Sequence, residues 1–229
     1  MASIALICEG VSEIKILTYI IERYLGDGVE VNSIQPSLKL LHGQEKQDDN
    51  GGWLQVLHHC TDETIKNIMI SNDYLVVQID TDACTQINYD VDIYDESHQK
   101  VSDEILYERV CTRLKRDISE DIWKKYSDRI LFAICFNETE CWLLPLYYKN
   151  DAKKRCATSN CIYILNQKLQ KEGMGIPQDN KNTPMATKAY QKVLKKMKRK
   201  EIPNIAQYNF GFQKFVEQMD AVKSEIAKE

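Results

Sequence analysis

The chain has 229 residues, of which 43% are hydrophobic, and this is enough to bury a full core. Its formal net charge of −4 excludes a protein that coats nucleic acid over its whole surface and leaves room only for a local basic patch. Eight cysteines without a Cys-x-x-Cys pair, and a start with neither a basic leader nor a bilayer-length apolar run, predict a reduced, cytoplasmic protein with no membrane anchor and no structural zinc site.

In chain order, Ile4 to Cys8 is a continuous apolar run of strand length, followed by a helical stripe of Ile14, Leu17, Ile21 and Leu25. A weaker strand is predicted over Val29 to Ile34, and the polar stretch from His42 to Gly52 reads as an exposed loop. Leu54, Leu57, Ile65 and Ile68 repeat at helical spacing before a second buried-strand run, Tyr74 to Ile79. Ile105, Val110 and Leu114 mark another helix, and Ile130 to Phe136 a third buried strand. Strands without polar alternation are covered on both faces, and strand alternating with helix gives an α/β fold with a parallel sheet. After about residue 150 strand-like runs give way to Lys-rich helical patterns, interrupted by Gly173 to Pro184 and by Pro203. The expected organisation is a parallel-sheet core over residues 1–150 with flanking helices, and a helical appendage over 151–229.

Each buried strand ends in acid: Glu9-Gly10 after the first, Asp80-Thr81-Asp82 after the second, and Asn137-Glu138-Thr139-Glu140 after the third. Ligands of open parallel sheets bind outside the carboxyl ends of the strands, so these acids are candidates for one site. Clustered carboxylates repel one another unless a cation holds them, and a hard ion such as Mg²⁺ or Mn²⁺ suits oxygen ligands. The competing reading is that acids occupy such loops because loops are solvated. Gly10 is expected to form a tight turn, with the N–H groups of the following helix offered to a phosphate. Asp90, Asp92, Asp95 and Glu96 lack the pattern of a calcium loop and read as a solvated loop, and His42, His58, His59 and His98 form no metal-spaced motif.

Glu9-Gly10-x-Ser12-Glu13, Asp80-x-Asp82 and Glu140-Cys141-Trp142-Leu143-Leu144, in this order at strand ends, resemble the Toprim family, and the Glu-x-Trp-Leu-Leu block is similar to its RloB-like and OLD-type defence-associated branch. The resemblance covers roughly the first 150 residues. It implies a catalytic and metal-binding set in which Glu9 is the general acid/base, Asp80 and Asp82 bind Mg²⁺, and Glu140 completes the site. It also implies a bacterial anti-phage nuclease that works with an ABC- or AAA-type ATPase.

Lys188, Lys192, Lys195 and Arg199, with Lys196 and Lys200 beside them, fall on one helical face opposite Ala186, Tyr190, Val193 and Met197, a basic stripe suited to phosphates. Tyr147, Tyr148 and Lys149 could stack on bases, whereas Trp142, Leu143 and Leu146 suit the core. The leading expectation is a Mg²⁺-dependent nuclease of DNA or RNA, tRNA included. A GT-A-type glycosyltransferase would also use Asp-x-Asp but gives no reason for Glu9-Gly10, and a haloacid-dehalogenase-like phosphatase needs the motif at its first strand. A non-catalytic regulatory or sensor subunit is the alternative outside enzymes, and a homo-oligomer is left open.

Overall fold

The computed structural model describes residues 1–41, 44–47 and 51–228. Strand β1 (Ala2–Ile7) leads through α1 (Val11–Leu25) to β2 (Val29–Gln35), and β3 (Leu38–Leu41) pairs with β4 (Gln44–Gln47) in an antiparallel ribbon. Then come α2 (Trp53–His59), α3 (Asp62–Ser71), β5 (Tyr74–Asp80), α4 (Asp103–Lys115), α5 (Glu120–Tyr126) and β6 (Ile130–Cys135). A 3-10 segment over Thr139–Leu146 follows, then α6 (Ala152–Arg155), α7 (Cys161–Leu169), α8 (Pro184–Leu194), α9 (Ile202–Ala206) and α10 (Phe210–Ile226).

The main sheet is four-stranded and all-parallel in the order β2-β1-β5-β6, flanked by helices, so the α/β expectation holds. Its two faces explain the unbroken apolar runs. Ile4, Leu6, Val76, Ala133 and Cys135 face α1, the 3-10 segment, α7, α8 and α10, while Ala5, Ile7, Leu75, Val77 and Ile134 face α2, α3 and α4. Helices from residues 151–229 thus share one hydrophobic cluster with α1 and a face of the sheet. Trp142 is 0% exposed and stacks on Phe212 at 4.5 Å and Phe215 at 5.9 Å, a core role. Among the described residues, no helix is long and apolar enough to cross a membrane.

Two expectations are corrected here. The stretch from His42 to Gly52 is not simply a loop, because Gln44–Gln47 is a strand; residues 42, 43 and 48–50 lie outside those described. The cysteines are not all thiols: Cys141 and Cys161, 20 residues apart, are bonded to each other. Local spacing could not reveal this pair, because tertiary docking creates it. Glu138 Oε1 accepts the N–H groups of Cys161 and Ile162, which anchors the start of α7 beside the 3-10 segment. Cys8, Cys60, Cys84, Cys111 and Cys135 are buried thiols, and Cys156 is exposed.

Candidate functional site

Parallel pairing aligns the carboxyl ends of β1, β5 and β6, with Asp80 opposite Cys135 in register. Gln78, fully buried on β5, ties these ends together. Its Oε1 accepts the Glu9 N–H at 3.0 Å, and its Nε2 donates to Asp80 Oδ1 at 2.8 Å. The Thr139 hydroxyl donates to the same Oδ1 at 2.9 Å, and the Asp80 N–H donates to Glu9 Oε1 at 2.6 Å. The backbone after β1 is thereby locked to the last residue of β5, and both carboxylates are held in fixed positions.

Glu140, 0% exposed, enters on the 3-10 segment. Its Oε1 accepts from the Tyr190 hydroxyl of α8, and its Oε2 accepts from Lys181 Nζ at 2.9 Å. The same ammonium lies 3.5 Å from Oε1 of Glu13, a buried residue in the first turn of α1 whose Oε2 accepts from the Ser12 hydroxyl at 2.9 Å. Gly10 forms no positive-φ turn, and its missing Cβ leaves room for the Glu13 carboxylate. Its backbone is extended, with φ −158 and ψ 177, but a Cβ there would meet Glu13 Oε2 at 2.7 Å.

Of the sequence-predicted acids, Glu9, Asp80 and Glu140 are drawn into this cluster, while Asp82 stands exposed at its rim. The solvated-loop reading therefore describes Asp82 but not the other three. Gln78, Thr139 and Lys181 carried no sequence signal of their own, and Tyr190 read only as part of an apolar helix face. Glu13 carried one, since it stands in the quoted Glu9-Gly10-x-Ser12-Glu13 motif.

Burial raises the Glu9 carboxyl from 4.5 to about 8, with Glu13 and Asp82 adding repulsion against the Asp80 N–H and Lys181. Asp80 is pushed well above the usual range by burial and then by Glu9 and Glu13. Burial alone would lower the Lys181 ammonium, but Glu13, Glu140 and Asp80 outweigh it and hold it charged. Burial, then the Glu140 charge, keeps the Tyr190 hydroxyl protonated. A consequence is measurable. Between 4.5 and about 8 the folded state binds more protons at Glu9 than the unfolded chain does, so in EDTA stability falls as pH rises through that window. Thermal midpoints from about pH 5 to about pH 9 are expected to show that decline, and Glu9→Gln is expected to make it shallower, with Asp80, raised in the same direction, keeping the remainder.

As donors, these groups fit a hard divalent ion: several carboxylates, buried and mutually repelling, with Lys181 the cation among them. No three of them, among the described residues, bring ligand atoms within 4.8 Å of one another. Among the described residues, Glu138, Cys141 and Cys161 form the grouping whose ligand atoms all lie within 4.8 Å, and its sulfurs are already bonded to each other. His59 Nδ1 lies 2.8 Å from Gln55 O of its own helix, and His58 and His98 are exposed. In the loop of Asp90, Asp92, Asp95 and Glu96, the first three acids accept backbone N–H groups at 2.9 to 3.1 Å, as solvated turns do.

The basic stripe is corrected as well. Helix α8 ends at Leu194, because the Met197 N–H tightens onto Leu194 O at 2.8 Å and the Met197 side chain turns into the core. Lys188 and Lys192 lie on α8 with Lys195 at its end, but Lys196 and Arg199 lie beyond it. Lys192 and Lys196 pair with Glu172 at 2.8 and 3.6 Å. Arg199 donates from Nε to Tyr24 O at 3.2 Å and from Nη2 to Leu25 O at 3.1 Å, capping the carboxyl end of α1. Ala186, Tyr190, Val193 and Met197 are buried, as the apolar face predicts.

Comparison with family models, curated proteins and solved structures gives no match to this chain.

Proposed function

We propose that the protein is a Mg²⁺-dependent phosphodiesterase acting on nucleic acid, with Mn²⁺ as an alternative ion. The observation that carries this reading is the convergence of Glu9, Asp80 and Glu140, joined by Glu13, at the carboxyl edge of a parallel sheet. Glu9, Asp80, Asp82 and Glu140 would hold the ion, which supplies Lewis-acid stabilisation of a phosphoryl oxygen and lowers the pKa of an attacking water. The residues themselves do the rest. Glu9, half-buried with its carboxyl raised to about 8, is placed to take up and return a proton near neutral pH. Gln78 and Thr139 orient Asp80, and Tyr190 orients Glu140. The Lys181 ammonium offers positive charge to a phosphate in the same space. The role in an anti-phage system with an ABC- or AAA-type ATPase rests on the resemblance alone.

The test is cleavage of tRNA, single-stranded RNA, plasmid and single-stranded DNA by the purified chain in Mg²⁺, Mn²⁺ or EDTA. Metal-dependent cleavage is expected, slowed about 100-fold or more by Glu9→Gln. Cleavage that survives both EDTA and Glu9→Gln would refute the assignment, and no cleavage of any substrate would move the weight to a regulatory or sensor subunit.

A further inference from the structure

Glu140 stands near the start of the 3-10 segment, and Pro145 and Leu146 at its far end form one wall of a separate cavity of about 420 Å³. Three cations line it, Lys149, Arg155 and Lys196, the last of them also 3.6 Å from Glu172, against the lining acid Glu201. They come from three places in the chain: the turn after the 3-10 segment, α6, and the turn after α8. Like charges gathered around one cavity repel each other and favour an anion between them.

The Arg155 side chain is the centre of this arrangement. Its guanidinium lies 4.0 Å over the ring of Tyr208, and it donates from Nη1 to Lys149 O. Its Nε is buried and makes no hydrogen bond among the described residues. Nε itself is closed off from the cavity, but Arg155 as a whole is half-buried and lines it, so its delocalised guanidinium charge acts on whatever occupies that space. The Arg155–Tyr208 pair also presents a flat cationic and aromatic surface on which a base can stack. Pro145, Leu146 and Ile205 give the lining its apolar part, and Asn204 adds an uncharged polar group. Cavities of this size and mixed lining take small ligands and not a duplex.

We propose that this cavity binds a nucleoside phosphate, with the phosphate against Lys149, Lys196 and the Arg155 guanidinium, the base over the Arg155–Tyr208 pair, and Glu201 and Asn204 toward sugar or base hydrogen-bonding groups. The ligand chemistry is shared by a free mononucleotide and by the phosphorylated end of a single strand. The proposal goes beyond the phosphodiesterase reading and stands without it, since none of these residues belongs to the carboxylate cluster.

Isothermal titration of the full chain in EDTA, which silences any metal-held phosphate, tests it with AMP, adenosine, inorganic phosphate and a short 5′-phosphorylated oligonucleotide. AMP is expected to bind about tenfold or more tightly than either adenosine or phosphate alone, since stacking and charge both contribute. Arg155→Ala and Tyr208→Leu are each expected to weaken AMP about tenfold. Lys149→Ala changes only an exposed side chain, keeps the fold, and is expected to weaken AMP severalfold. Tighter binding of the oligonucleotide than of AMP identifies a strand end as the ligand, and the reverse order identifies a free nucleotide. Absence of AMP binding at millimolar concentration, phosphate binding as tightly as AMP, or AMP affinity unchanged by both Lys149→Ala and Arg155→Ala would each overturn the proposal.

Discussion

Lys181→Met is expected to destabilise the protein by about 3–5 kcal/mol at neutral pH, because removing one member of a buried ion pair strands the charge of the other. Glu140 is 0% exposed and would keep only the Tyr190 hydroxyl on Oε1 once the ammonium at 2.9 Å from Oε2 is gone. The Lys181 side chain is 23% exposed, so water can enter in its place and the lower end of the range is expected. Glu13, 3.5 Å from the same ammonium, loses its counter-charge too. Urea unfolding of the single variant and of Lys181→Met combined with Glu140→Gln separates the causes. The double variant is expected to recover about 1–3 kcal/mol of the loss, since the neutral amide no longer needs a counter-ion. Millimolar Mg²⁺ is expected to raise the thermal midpoint of Lys181→Met more than that of the unaltered protein, because a divalent ion can take over the lost positive charge. A loss below about 1 kcal/mol in the single variant would mean that the ammonium does not balance the carboxylates.

The sheet was legible because its strands are buried on both faces and so read as unbroken apolar runs. Ile4 to Cys8, Tyr74 to Ile79 and Ile130 to Phe136 each differ by no more than two residues at either end from β1, β5 and β6. The acids at the strand ends were legible for the same reason, since a carboxylate directly after a buried run must lie at the sheet edge. What closes the cluster was not. Gln78 lies inside a buried strand as its lone polar member before Asp80, a position explained by its bonds to the Glu9 N–H, Asp80 and Thr139, which no local pattern announces. Lys181 lies in a segment between α7 and α8 that has no periodicity, and no local pattern places it beside Glu13 and Glu140. The basic stripe was misread because its helical periodicity runs on through Met197 and Arg199, whereas the chain leaves the helix at Lys195. Tertiary demand decides that boundary: Met197 is needed in the core and Arg199 at the end of α1. Lys149 and Lys196 were singled out on separate grounds, and the fold brings them to one cavity.

Gly211→Ala is expected to cost about 3 kcal/mol or more, at or above the upper end of overpacking effects. A Cβ on Gly211 would lie 1.9 Å from the carbonyl oxygen of Ile134, and a backbone atom of a buried strand cannot swing aside as a side chain can. Helix α10 is also prevented from sliding away. Its apolar face is locked into the core, where Phe212 and Phe215 stack on the buried Trp142. Further along, the Gln218 amide accepts the Phe132 N–H at 2.8 Å and donates to Phe132 O at 3.0 Å, as a neighbouring strand would, and so covers the open edge of β6. For a chain of this length such a loss lowers the thermal midpoint by roughly 6–12 °C, which calorimetry reads directly. The effect should reach the site, because β6 holds Asp80 opposite Cys135, and Cys135 O accepts the Thr81 N–H at 2.9 Å between Asp80 and Asp82. Gly28→Ala is the matched comparison: a Cβ there has nothing within 4 Å, and a change within about 0.5 kcal/mol is expected. Equal midpoints for the two variants would mean that α10 can move off β6 at no cost, and the site's dependence on that edge would fall with it.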